Sequence, residues 1–296
     1  MARRPIDATQ WTAFGLGGLA GAFFVGLVGL FVWQSLPVFR HEGLGYLTGT
    51  VWSFRHQRFG ALPMIYGTLA VSGLALTLAA PVGLGAAIFT SEYLSPRWRL
   101  PVKGAIELLA GVPSVVYGLL GAVVLREVMV DVLAPFEPLS GDTLATAGVL
   151  LAVMILPTAV SLADDALSGV PKDLKRAARG LGLSHAQTIR AATLPIALPG
   201  IAAALVLALG RALGETIAIF LVIGRQDGQW PERLLSLAPL TGAGQTLTTK
   251  LGGAETHIAY RDPLHWAAIA GLVVILLALS VGISVLGSML AKRGPR

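Results

Sequence analysis

The chain has 296 residues, 54% of them hydrophobic and only 13% charged, with a net charge of +6 and a pI near 10. This is the composition of a polytopic membrane protein; Lys and Arg gathered on one side of a bilayer explain the charge without a nucleic-acid partner. Cysteine is absent, which excludes disulfides, thiol nucleophiles, Cys-ligated zinc and iron–sulfur clusters, and His41, His56, His185, His257 and His265 have no metal-ligand spacing.

Six apolar segments are predicted to span the membrane. The start, MARRPIDATQW, resembles the basic region of a signal peptide, but the apolar run after it is too long. It is read as an uncleaved first span, about Trp11 to Leu36, with Gly17 and Gly21 spaced for close helix packing. The second span lies within Phe59 to Ser91, where Pro81, Gly83 and Gly85 predict a kink or a closely packed crossing. The third runs from about Val102 to Leu125 and holds GVPSVVYG. Pro113 there removes a backbone donor and bends or breaks a helix; freed carbonyls in a membrane must face protein or a wet cavity. Ser114 and Tyr117 place hydroxyls in that region, whose plainer reading is a structural kink at a helix crossing. The fourth span is about Thr143 to Ala163, the fifth Ile196 to Gly224 and the sixth Pro263 to Ala291.

Basic residues set the expected orientation. With both termini inside, the cytoplasmic segments hold Arg3, Arg4, Arg97, Arg99, Lys103, Lys172, Lys175, Arg176, Arg179, Arg190, Lys292, Arg293 and Arg296, which is 13 of the 22. Eight lie opposite, at Arg40, Arg55, Arg58, Arg126, Arg225, Arg233, Lys250 and Arg261, four of them in one long loop that counts for little in this rule. All six Trp fall near predicted ends or in loops, where amphipathic rings settle at an interface.

The remaining basic residue, Arg211, sits in the fifth span with Glu215. Each such charge costs roughly 2.5 to 3.5 kcal/mol at the centre of a membrane helix. Their i, i+4 spacing puts both on one face, so they can pair. They are either a polar face lining a pathway for a charged solute or a buried pair locking this helix against a neighbour.

Residues 168–195 form the one sizeable cytoplasmic stretch between spans and read as a two-helix elbow. Pro171 and Asp173 suit a first helical turn, and Gly180 or Gly182 ends it. Ser184 and Gln187 then make the S-x-x-Q capping box of a second helix, and Pro195 starts the next span. The elbow is either a docking element or a basic segment resting on anionic lipid. None of the five Lys follows a Gly, so the chain lacks a P-loop, and any ATP driving transport is bound by another chain. An enzyme active site has little support.

The elbow resembles the EAA loop of membrane subunits of binding-protein-dependent ABC importers, E-A-A-x3-G-x9-I-x-L-P. Arg176, Ala177, Ala178, Gly182 and Ala192-Thr193-Leu194-Pro195 match its spacing, with Arg176 in place of the Glu and Ala192 in place of the Ile. FGALP (59–63), GTL (67–69), SEYL (91–94), IELLAGVPSVVYG (106–118) and LGRALGETIA (209–218) narrow the likeness to the permeases of phosphate-specific importers, and GRALGET is more similar to their C-type subunit.

The resemblance implies an all-α type I importer permease of six transmembrane helices (MetI-like), set in the cell inner membrane with both termini cytoplasmic. Residues 1–62 are then an N-terminal tail, first span and external loop, and 63–296 the core permease with its coupling loop at 168–195. Arg211, Glu215, Ser114 and Tyr117 are candidates for the translocation pathway. Arg176, Ala177, Ala178, Gly182, Ser184, His185 and Gln187 are candidates for ATPase coupling, with the contact within Ser184 to Ala191. The implied partners are a second, A-type permease, two ATPase subunits, an extracytoplasmic phosphate-binding protein and the bilayer, with no cofactor on this chain. The same architecture serving phosphonate, sulfate or tungstate is the near alternative. A lone secondary transporter is the distant one, and it needs a coupling-ion site and usually internal repeats.

Overall fold

A computed structural model describes residues 8–230 and 238–292. Arg3, Arg4, Arg233, Arg293 and Arg296 of the orientation argument lie outside the described residues. Among the described residues five helices are long and apolar enough to cross a membrane, and a sharply bent pair brings the number to six if counted as one span. The long helices are α1 (Ala8–Glu42), α2 (Leu62–Tyr93), the bent pair α3 (Pro96–Ala110) and α4 (Ser114–Phe136), α5 (Leu144–Ser168), α7 (His185–Gly214) and α11 (Pro263–Lys292). Shorter helices are α6 (Lys172–Gly180), α8 (Ile217–Phe220), α9 (Leu247–Leu251) and α10 (Glu255–Ala259).

The central helix is α5, started by the Thr143 side chain, which accepts from the Thr146 N–H, and buried along most of its length. Small residues let its neighbours close in. Gly148 meets Leu74 of α2, and a Cβ on Gly83 of α2 would stand at ordinary contact distance from Ala159. The α2 helix runs through Pro81 without a break, and around it Gly83 packs towards Ala159 while Gly85 faces open space. It ends in a π-turn, Phe89–Tyr93.

The third expected span is not one helix. The chain breaks at 111–113 and α3 and α4 meet at 83°. Pro113 has no N–H to continue the ladder and disfavours helical geometry at Val112. The α1 helix packs on α11, where Gly271 makes room for the Tyr46 ring and the Tyr46 hydroxyl donates to the Ala268 carbonyl at 2.7 Å. Gly17 and Gly21 have nothing within 4 Å inside the chain, and Phe14, Leu16, Leu19 and Phe23 around them are exposed.

Residues 225–262 fold back over one end of the bundle, with 231–237 outside the description. Gly67 of α2 touches the Gln245 backbone, and the Thr68 hydroxyl accepts from the Leu247 N–H at 2.9 Å. Lys250 is 2% exposed and is held by Asp227 at 2.8 Å and by Glu255. Glu255 also accepts from Trp52 at 2.7 Å and bonds to His265 at 2.8 Å. Trp52 is thus buried in a charge cluster, not set at an interface, because its indole N–H serves the carboxylate.

Candidate translocation pathway and coupling site

The GRALGET and GVPSVVYG blocks meet. The α7 helix stops at Gly214, and Glu215 has extended backbone (φ −72°, ψ 129°). The continuous helix expected through Glu215 is therefore absent, and so is the i, i+4 pair: no ion pair joins Arg211 to Glu215. Two bonds, one local and one long-range, favour the break. A Glu215 carboxylate oxygen accepts from the Ala218 N–H at 3.2 Å, capping α8, and the Glu215 carbonyl accepts from the Thr248 hydroxyl at 2.7 Å.

Arg211 turns the other way. It donates to the Thr158 hydroxyl at 3.1 Å and to the Ala110 carbonyl at 3.2 Å. That carbonyl ends α3, where the break at Pro113 removes its ordinary helical donor. A cation at a helix C-terminus is also favoured by the helix dipole. Arg211 therefore joins α7, α5 and the broken end of α3. A guanidinium has five N–H donors, and these contacts use two.

The Tyr117 hydroxyl reaches back across the break to the Leu109 carbonyl at 3.0 Å, and Ser114 opens α4. Gly118 lies against Ala218 and Leu221, and Gly121 against Leu150 and Val222, so glycines on α4 seat α8. All four sequence candidates thus surround one junction of helix ends, each half-buried in the single chain. Sequence reading missed Thr158 and the Ala110 carbonyl. Thr158 follows Pro157 inside an apolar span, which is the one local mark it carries.

The elbow has its expected first helix, α6, and Gly182 takes φ +85°, which a glycine adopts freely. The capping box is formed: the Ser184 N–H donates to Gln187 at 2.8 Å and the Gln187 N–H to the Ser184 hydroxyl at 3.3 Å. The second helix, however, does not end before Pro195. It continues through a π-turn, Ile189–Thr193, into the membrane span as one 30-residue helix. The wide turn accommodates the missing N–H of Pro195 without ending the helix. Arg176 points outward, 77% exposed at its side chain, and pairs with Asp173 at 3.2 Å; Ala177 is exposed and Ala178 buried.

SEYL supplies the anchor between elbow and bundle. Glu92 pairs with Lys175 of α6, its carbonyl bonds His185 Nε2 at 3.0 Å, and Tyr93 packs edge-on to the His185 ring. Nearby, buried Asp164 of α5 receives the Thr90 hydroxyl at 2.9 Å, Arg99 at 3.3 Å and Lys103 at 3.7 Å. The acidic pair at 164–165, just past the apolar run, was the available signal for that network. Among the described residues no group of His, Asp or Glu could hold a metal ion.

Comparison with known proteins shows what the chain is similar to. The sequence model of the binding-protein-dependent transport system inner membrane component matches residues 79–293. A phosphate transport system permease protein PstC from Mesorhizobium japonicum is 38% identical over 225 residues, covering 71% of this chain and 66% of that protein. A probable ABC transporter permease protein YqgH from Bacillus subtilis is 36% identical over 88% of this chain and 81% of its own. A PstC from Xylella fastidiosa is 34% identical over 84% and 80%. Among solved structures, the MetNI methionine ABC transporter in an inward-facing form matches with a TM-score of 0.60 at 17% identity, covering 78% of this chain and 94% of that one. A bacterial alginate ABC transporter matches with a TM-score of 0.58 at 16% identity, over 96% and 97%. At these identities the structural likeness shows the fold, a MetI-like permease bundle.

Proposed function

The chain belongs to the family of binding-protein-dependent transport system inner membrane components, and from that premise we propose that it is the permease subunit of an ATP-driven inorganic phosphate importer. The observation that carries the substrate is the extended similarity to proteins named PstC, at 32–38% identity over most of the chain. The chain is a multi-pass inner-membrane permease and not itself a catalytic enzyme. In this reading ATP is hydrolysed by two separate ATPase subunits, and a second, A-type permease completes the pathway. An extracytoplasmic phosphate-binding protein delivers the ion, and both termini of this chain are cytoplasmic. The elbow, with Gly182, the Ser184–Gln187 cap and His185, receives the ATPase.

Arg211 is the residue for the anion. A guanidinium presents a planar fork of donors to an oxyanion, and three of its N–H groups remain after the Thr158 and Ala110 bonds. A transport site must attract the ion and also let it go. The two protein bonds on Arg211 temper its hold. Ser114 and Tyr117 line the break opposite.

Phosphate uptake by assembled, correctly folded complexes carrying Arg211→Ala or Arg211→Lys tests this. Loss in the first and impaired transport in the second are expected; wild-type rates in both would end the pathway role. The same architecture serving another oxyanion is separated by the ligand that the cognate binding protein retains. Purification of the chain with no ATPase attached would favour a lone secondary transporter.

A further inference from the structure

A second basic site lies away from Arg211, at the foot of the elbow. A cleft of about 250 Å³ opens between the end of α2, α3, the end of α5 and α6. Five cations line it: Arg99, Lys172, Lys175, Arg176 and Arg179. The hydroxyl-bearing Ser91 and Ser168 complete its polar wall, and no carboxylate lines it.

Three of the five cations are balanced by acids behind them. Arg99 pairs with Asp164, which Lys103 shares with Asp165; Lys175 pairs with Glu92, and Arg176 with Asp173. Lys172 and Arg179 have no carboxylate within 4 Å among the described residues. Arg179 instead contacts His185 Nδ1 at 3.0 Å. Two unneutralised cations thus face a cleft already walled by three more.

We propose that this cleft binds a phosphoryl oxyanion. Donors arrive from two separate elements, Arg99 on α3 and the cations of α6, with Ser91 and Ser168, which accepts from Arg99, also in the lining. That spread matches the several oxygens of a tetrahedral ion better than the single plane of a carboxylate. The ion has two available sources, a free phosphate or the headgroup of an anionic phospholipid. Basic pockets between membrane helices take such headgroups, and on α3 the exposed Trp98 and Leu100 flank Arg99. This site is independent of the transport pathway and regulates or anchors the elbow by bridging α3 to α6.

The test uses the full chain purified with its associated subunits, in the Arg211→Ala background so that the pathway contributes no phosphate binding. Radiolabelled inorganic phosphate is measured by equilibrium dialysis, and phosphatidylglycerol by native mass spectrometry. Lys172→Gln and Arg179→Gln are each expected to weaken retention about tenfold or more, since a charge-assisted bond is lost. Arg97→Gln, an exposed charge outside the cleft, is expected to leave it unchanged. Retention of phosphate alone assigns a free ion; retention of phosphatidylglycerol that phosphate does not displace assigns a lipid. Absence of both ligands, or equal binding in the cleft variants and Arg97→Gln, overturns the proposal. Phosphate binding that appears only with Arg211 intact and ignores Lys172→Gln belongs to the pathway and overturns it too. Both substituted side chains are exposed, and matched melting temperatures confirm that the variants fold.

Discussion

Gly67→Ala is a sharp test of how the folded-back external segment is seated. A Cβ on Gly67 would lie 2.1 Å from the Gln245 carbonyl oxygen and 3.0 Å from its carbon. Against an ordinary contact of 3.4 Å the shortfall is about 1.3 Å. Both partners are backbone, so no rotamer change relieves it. Overpacking of this kind costs roughly 1–3 kcal/mol. Retreat of the segment also stretches the 2.9 Å bond from the buried Leu247 N–H to Thr68. Leaving that donor unpaired adds roughly 1–3 kcal/mol. The expected loss is therefore about 2–6 kcal/mol, read as a lower melting temperature and faster proteolysis within 225–262. Gly73→Ala, two turns along the same helix with nothing within 4 Å, is the control. It is expected to be neutral or to stabilise by up to about 1 kcal/mol, because Ala is the better helix former. If Gly67→Ala melts with the wild type and the segment is cleaved no faster, the reasoning about this seam is wrong.

Other outcomes follow from the charged anchors. Burial alone raises the Glu255 pKa, but bonds from Lys250, Trp52 and His265 and the Lys250 charge together hold it below the usual range. Its stabilisation is then full above the unfolded value of about 4.3 and is lost as pH falls through the lower folded one. Melting temperature measured from pH 7 down to 3 should drop more steeply in wild type than in Glu255→Gln within that window; parallel curves would contradict this. Lys250→Met leaves Asp227 and Glu255 without their shared cation, and should destabilise by roughly 3–5 kcal/mol in a melt. Lys175→Glu is expected to uncouple ATPase stimulation from transport, and Glu92→Lys added to it to restore part of that coupling; no restoration removes the direct pair from the account. Gly182→Val strains a backbone at φ +85° although its Cβ would meet no neighbour. Binding-protein-stimulated ATPase activity should fall while nucleotide binding stays intact, and unchanged stimulation would argue against docking at the elbow.

What was legible in the sequence was local. The sixth span begins at Pro263 as expected, and the Ser184–Gln187 cap forms because its donors and acceptors lie three residues apart. Gly182 was readable as a turn for the same reason. The break after Gly214 was not, since ALGETIAIF contains no proline and reads as uninterrupted helix. Thr248, 33 residues away, helps hold it open by bonding the Glu215 carbonyl. Arg211 meets Ala110 across 101 residues, and Lys175 meets Glu92 across 83. Periodicity carries no information about such pairs. It could supply both charges of the Arg211–Glu215 motif but not the opposite directions in which they turn.

The unbroken course of α7 has a mechanical consequence. Its 30 residues make a rod about 45 Å long, with the Ser184 cap at one tip and Arg211 within a turn of the other. Rocking such a lever by about 10° about its capped tip would carry Arg211, about 39 Å along it, through about 7 Å, while Ala110 and Thr158 are carried by other helices. A swing of that size would part Arg211 from both of its tethers and free its donors in the same movement. Under the proposed function, latch and lure would be a single part.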